Sequence, residues 1–219
     1  MSSMWVGIFA ASPHMKTTKL LICAISIATA FSAAKASAQN LSTSFVGIDP
    51  VQNVNGTIND GGFVQDYPSG VLQFTDFQAF CVEPQQGLTF GETLVYQVSD
   101  IGTLNNSDVI ARLIGGYLSS SQTALHAAAV QWAIWETTNE TISTPSLTTG
   151  NVRINPISQP VAELANQFLA NVNTFTPASI TYLTNDTHQN VVTWNVVPEP
   201  ASLTLSAVSA VLLMRRRRR

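Results

Sequence analysis

Lysine is missing from the central three-quarters of this 219-residue chain, and nearly all other positive charge is missing with it. Lys16, Lys19 and Lys35 lie near the N-terminus, and Arg215, Arg216, Arg217, Arg218 and Arg219 close the C-terminus. Between Gln39 and Val197 only Arg112 and Arg153 remain, against twelve carboxylates from Asp49 to Asp186, so this 159-residue stretch has a formal charge near −10. Nucleic acid is thereby excluded as a partner, because phosphate binding is driven by Lys and Arg. Histidine is scarce too: the stretch holds His126 and His188 and no spaced carboxylate cluster, so neither a metal site nor a cofactor is expected. Cysteine is scarcest. The chain has two, Cys23 and Cys81, and once Cys23 is assigned to a cleaved leader, Cys81 has no internal disulfide partner.

The ends carry sorting information. Met15 opens MKTTK, followed by LLICAISIATAFSA and an A-x-A site ending at Ala38, which is a basic, apolar and small-residue leader pattern. Residues 1–38 therefore read as an upstream extension plus a signal peptide cleaved after Ala38, with Met15 an alternative start to Met1. Residues 198–219 read Pro198-Glu199-Pro200, then ASLTLSAVSAVLLM, then the five arginines. Fourteen uncharged residues make a helix of roughly 21 Å, short of a bilayer core of about 30 Å. The arginine block holds such a segment with its C-terminus on the cytoplasmic side.

This order of three parts resembles the PEP-CTERM sorting signal of Gram-negative, exopolysaccharide-producing bacteria. The resemblance implies a transient inner-membrane anchor, recognition by an exosortase, and delivery of the trimmed protein to the cell surface or the extracellular matrix.

Residues 39–197 are enough for one core. Thr43 to Val82 is rich in Val, Ile, Phe and Thr and is broken at Asn55-Gly56 and Asp60-Gly61-Gly62, which predicts hairpins. Within Gly70–Glu83, read as one strand, Leu72, Phe74 and Phe80 are even-numbered, which puts Cys81 on the opposite face unless a bulge intervenes. A strand follows at Thr93–Val98. Three helices come next: one capped by Ser107-Asp108 and running to Tyr117, one capped within Ser119–Thr123, and one from Pro160 to Asn171. A hairpin around Asn185–His188 closes the domain. The expected fold is a single α+β domain, antiparallel strands with a three-helix insertion.

The middle helix contains an anomaly. In ALHAAAVQWAIWET, residues Ala124, Ala127, Ala128, Ile134 and Trp135 all fall within about 60° of Gln131, so its carboxamide lies in the most apolar stripe. Burying it unpaired costs roughly 2–7 kcal/mol. One reaction accounts for both the lone thiol and the buried amide: Cys81 condenses with the Gln131 carboxamide, ammonia leaves, and an internal thioester remains. The plainer reading makes Cys81 a small buried hydrophobe and Gln131 a core amide bonded to backbone. His126 lies about 140° around the helix from Gln131, so a Cys-His hydrolase is disfavoured.

Phe80-Cys81-Val82-Glu83-Pro84 and Gln131-Trp132-Ala133-Ile134-Trp135 resemble the two motifs of bacterial surface thioester domains, an aromatic-Cys pair on a strand and a Thr-Gln-x-Ala-x-Trp type motif on a helix. The resemblance covers roughly residues 80–169, with Val130 where that pattern has Thr. It implies that Cys81 supplies the thiol and Gln131 the acyl carbon, while Phe80, Trp132, Ala133, Ile134 and Trp135 support them. The implied function is a surface adhesin or crosslinker that couples once to an amine- or hydroxyl-bearing surface or matrix molecule and is not an enzyme. The alternative is a passive exopolysaccharide or biofilm matrix module without a thioester.

Overall fold

A computed structural model describes residues 40–58, 62–140 and 145–194. The expected leader (residues 1–38) and sorting tail (residues 198–219) lie outside the described residues. Among the described residues no helix is long and apolar enough to cross a membrane.

The fold is α+β, as the alternation of patterns predicted, and all its strand pairings are antiparallel. Strands β1 (Asn40–Ile58) and β2 (Gly62–Phe74) form the long opening hairpin. β3 (Gln78–Cys81), β4 (Thr93–Ser99), β6 (Thr181–Thr184) and β7 (Val191–Thr193) complete the main sheet. The two-residue β5 (Arg153–Ile154) adds to the far edge of β1. The helical insertion lies between β4 and β6 and comprises α1 (Ser107–Leu118), α2 (Ala124–Asn139) and α3 (Gln159–Ala170), with β5 interrupting it.

The sheet closes on itself. β1 pairs with β4 through Asn40–Ser44 and with β2 from Phe45 onward, so six strands form a ring in the order β1-β2-β3-β7-β6-β4. Register shifts at three points along β1 let one strand serve two partners. Closure leaves few free edges in the ring. Its interior is defined by register: Leu183 opposite Val191, Val191 opposite Cys81, Phe45 opposite Phe74, and Tyr96 packed edge-on against Phe74. On the outer face Phe80 packs edge-on against Tyr117 of α1 and lies 5.3 Å from the Trp194 ring, centroid to centroid.

Three sequence expectations are corrected. Asn55-Gly56 is not a turn but lies inside β1, where the Gly56 position leaves room for the Trp132 ring. Gly70–Glu83 is not one strand, because residues 75–77 form a tight turn between β2 and β3. That turn resets the alternation. Leu72 pairs with Ala79, so Ala79 and Cys81 share the face of Leu72, the reverse of the parity expectation. Finally, α1 is capped at Asn106, in the left-handed region, rather than at Ser107-Asp108. The expected cap of α2 is present: Thr123 accepts from the His126 N–H.

α2 is the central helix. Every residue from Ala127 to Thr137 is buried, because β1, β2 and β3 flank it along with α1 and α3. A helix buried all round is expected to be apolar all round. Gln131, Glu136 and Thr137 are the exceptions.

Candidate functional site

The site begins with a strand that loses its neighbour. β2 and β3 pair at Gln73–Gln78 and Leu72–Ala79 and then separate. Continued, that register would set Gly70 opposite Cys81, but the β2–β3 pairing stops at Leu72–Ala79, while Gly70 keeps only its β1 partner, Val51. Val82 donates to Asn190 O on the β7 side, so the main-chain groups of Cys81 point the other way, toward the gap that β2 leaves.

Gln131 fills that gap. Its Oε1 accepts the Cys81 N–H at 2.9 Å, and its Nε2 donates to the Cys81 carbonyl at 2.7 Å. The carboxamide thus imitates a paired strand, with both residues 2% exposed. The two residues singled out in the sequence, fifty positions apart, are brought into direct contact. The hydroxyl that Val130 lacks is not needed to orient the amide, since both of its polar atoms are already held.

Cys81 carries a free thiol, whose Sγ donates to Glu83 O at 3.1 Å. Burial pushes this thiol up to about 12, opposed chiefly by the Trp135 indole and then by the Glu83 main chain, while the Glu83 carboxylate pushes the same way as burial. The thiol is therefore neutral at ordinary pH.

The remaining predicted residues divide by role. Ala133 and Ile134 are fully buried and hold α2 in place. Trp132 donates its indole N–H to Ser69 Oγ at 2.8 Å, pinning α2 to β2. Phe80 faces away from the thiol, toward α1. Trp135, one turn beyond Gln131, lines the same cavity as Cys81 and Gln131. His126 bonds Thr123 Oγ1 through Nδ1 at 2.7 Å, and His188 lies 3.2 Å from Glu92, and neither lines that cavity. The sorting residues Pro198, Glu199, Pro200 and Arg215–Arg219 lie outside the described residues.

The cavity, about 580 Å³, leads from the surface to the Cys81–Gln131 pair. Tyr67, Leu72, Leu88, Phe90 and Trp135 supply most of its wall, with Asn53 and Gln189 as polar points. None of its lining residues among those described is charged. Phe90, 76% exposed, stands at the rim. Sequence reasoning did not find Tyr67, Leu88 or Phe90, because they come from separate segments that meet only after the ring closes. The Tyr67 hydroxyl donates to Pro84 O at 3.2 Å and its ring packs edge-on against Trp135, so Tyr67 ties the loop after β3 to the site.

This geometry suits acyl chemistry at Gln131. The Cys81 N–H already rests on Oε1, where negative charge develops when the amide carbon is attacked, so a donor is in place for the tetrahedral intermediate. Sγ belongs to the same residue as that donor. A thioester between Sγ and the Gln131 carbon would break the thiol's contact with Glu83 O, and the thiol proton would account for the third hydrogen of the departing ammonia.

No protein-family model, curated protein or solved structure matches this chain.

Proposed function

We propose that residues 39–197 form a secreted covalent attachment domain in which Cys81 and Gln131 join as an internal thioester, the electrophile for a single coupling to an amine or hydroxyl on a surface or matrix partner. One observation carries this reading: a buried carboxamide bonded through both polar atoms to the main chain of a lone buried cysteine, at the foot of an open cavity. The likeness of the Phe80–Pro84 and Gln131–Trp135 motifs to those of surface thioester domains supports it. So does the absence of lysine between Gln39 and Val197, which prevents the domain from acylating copies of itself through that side chain.

The coupling balances without a cofactor. The nucleophile adds to the Gln131 acyl carbon, the carbon–sulfur bond breaks, and the proton lost by the nucleophile ends on Sγ of Cys81. The product is an amide or ester at Gln131 and a free thiol. Each molecule reacts once, so the domain is not an enzyme. The leader and the Pro198–Arg219 tail fit export, a transient membrane anchor, exosortase processing and release to the cell surface or matrix.

A passive matrix module has its own support, since the hydrogen bonds of Gln131 and the thiol's contact with Glu83 O already satisfy the pair without a bond between them. Incubation with a fluorescent primary amine, followed by denaturing electrophoresis, separates the two. Covalent label on wild type that is absent from Cys81→Ala and Gln131→Ala supports the attachment domain. An unlabelled wild type supports the passive module.

A further inference from the structure

The thioester reading leaves one need unmet, a group to receive the sulfur when the bond opens. Among the described residues the cavity lining contains no Lys, Arg or His. Four donors beside it are occupied: Tyr67 O–H with Pro84 O, Tyr96 O–H with Gln189 O, Trp132 N–H with Ser69 Oγ, and the Cys81 N–H with Gln131 Oε1. Trp135 is different. Its Nε1–H is buried and has no hydrogen-bond partner among the described residues. An orphaned buried donor is costly and requires an explanation.

Its placement supplies one. Trp135 follows Gln131 by one helical turn, so both project from one face of α2 into the cavity that Cys81 lines. The indole favours the ionised sulfur over the neutral thiol, to which it makes no formed hydrogen bond. Two edge-on ring contacts hold it there, with Tyr67 at 5.6 Å and with Trp132 at 5.4 Å.

We propose that the Trp135 indole N–H is the donor that stabilises the Cys81 sulfur as it departs from Gln131, making Trp135 a catalytic group of the acyl transfer and not only a packing residue. This rests on the thioester reading. As the acceptor's nitrogen adds to the Gln131 carbon, the electron pair of the breaking carbon–sulfur bond moves to Sγ. The indole N–H accommodates that charge until an acceptor proton arrives. The same contact serves the reverse sense, when the thiol loses its proton to attack the amide.

The test compares wild type with Trp135→Phe, which keeps an aromatic ring and removes the N–H. Thiol release by methylamine is expected to slow about tenfold or more, in the direction seen when one donor to a developing charge is removed. After methylamine treatment the thiol is free in both proteins whether or not a thioester had formed. Its alkylation by iodoacetamide at pH 8.5 is then expected to slow roughly threefold for each unit by which the thiol is raised, the lost thiolate being partly offset by higher nucleophilicity. A purely structural role predicts the opposite, since the smaller ring opens access to Cys81. Equal or faster release and alkylation in Trp135→Phe overturn the proposal.

Should Trp135→Phe not fold, the indole ¹⁵N–¹H signal of Trp135 decides. It is expected to move between wild type and Cys81→Ala, and an unmoved signal overturns the assignment. A wild type that has lost no ammonia defeats the thioester reading itself, and the alkylation rates then still decide whether Trp135 serves the thiol.

Discussion

Gln131 stands beside Cys81 where the register of β2 against β3 would have placed Gly70, and its carboxamide makes the two hydrogen bonds that a strand neighbour would make. This accounts for a polar side chain in the middle of the most deeply buried helix of the fold. It also sets the acyl carbon of Gln131 against the one residue of the domain with a thiol. The divergence of β2 from β3 leaves the Cys81 main chain for Gln131 to pair, beside the cavity that both residues line.

On the thioester reading, replacing either member of the pair removes the electrophile. Cys81→Ala and Gln131→Ala are each expected to lose amine capture completely and equally. Gln131→Ala additionally leaves the Cys81 N–H and C=O buried and unpaired, costing about 1–3 kcal/mol for each such group. A thioester would close a loop of 50 residues, and by analogy with a disulfide that crosslink contributes about 2–4 kcal/mol. Thermal melts check this: methylamine should lower the wild-type midpoint toward that of Cys81→Ala and leave the mutant's own midpoint unchanged.

Gly56→Ala tests the contact between β1 and α2. An added Cβ would meet the Trp132 ring and stand 2.6 Å from Arg153 O, which cannot move without disturbing the β1–β5 pairing. The substitution is expected to destabilise by about 1–3 kcal/mol. Urea unfolding measures the loss, and a midpoint unchanged from wild type contradicts the packing described.

Glu136 gives a pH signature separate from the thiol. It is fully buried, Oε1 accepts the Ser146 N–H at 2.7 Å, and Oε2 has no partner among the described residues. Burial pushes its carboxyl up to about 7 from an ordinary 4.5, so the folded state binds a proton that the unfolded state has released between those values. Stability should therefore decline as pH rises from about 4.5 through 7. The loss is on the order of 1–3 kcal/mol by proton linkage. Glu136→Gln keeps the acceptor for Ser146 and should remove this decline, so chemical denaturation of both proteins at pH 4.5 and pH 8 should show the mutant gaining on wild type at the higher pH.

Local chemistry was legible in the sequence, and long-range pairing was not. Alternating Val, Ile and Phe on either side of Asp60-Gly61-Gly62 marked the β1–β2 hairpin, Thr123 marked the start of α2, and the apolar surroundings of Gln131 marked it as exceptional. Asn55-Gly56 misled because it satisfies a turn rule and a packing rule equally, and only the approach of Trp132 decides between them. Cys81 was assigned the wrong face because the short turn at residues 75–77 contains neither Gly nor Pro to signal a phase change. Ring closure left no local trace at all, since it depends on one strand, β1, dividing its length between β4 and β2.

The central claim is most directly tested by the intact mass of the purified wild-type domain, measured under non-reducing conditions near neutral pH and again after methylamine. A Cys81–Gln131 thioester predicts a mass lower than that of the encoded chain by one ammonia, with one methylamine then added and one thiol appearing. A mass equal to that of the encoded chain, unchanged by methylamine and with Cys81 freely titrated by a thiol reagent on denaturation, contradicts it.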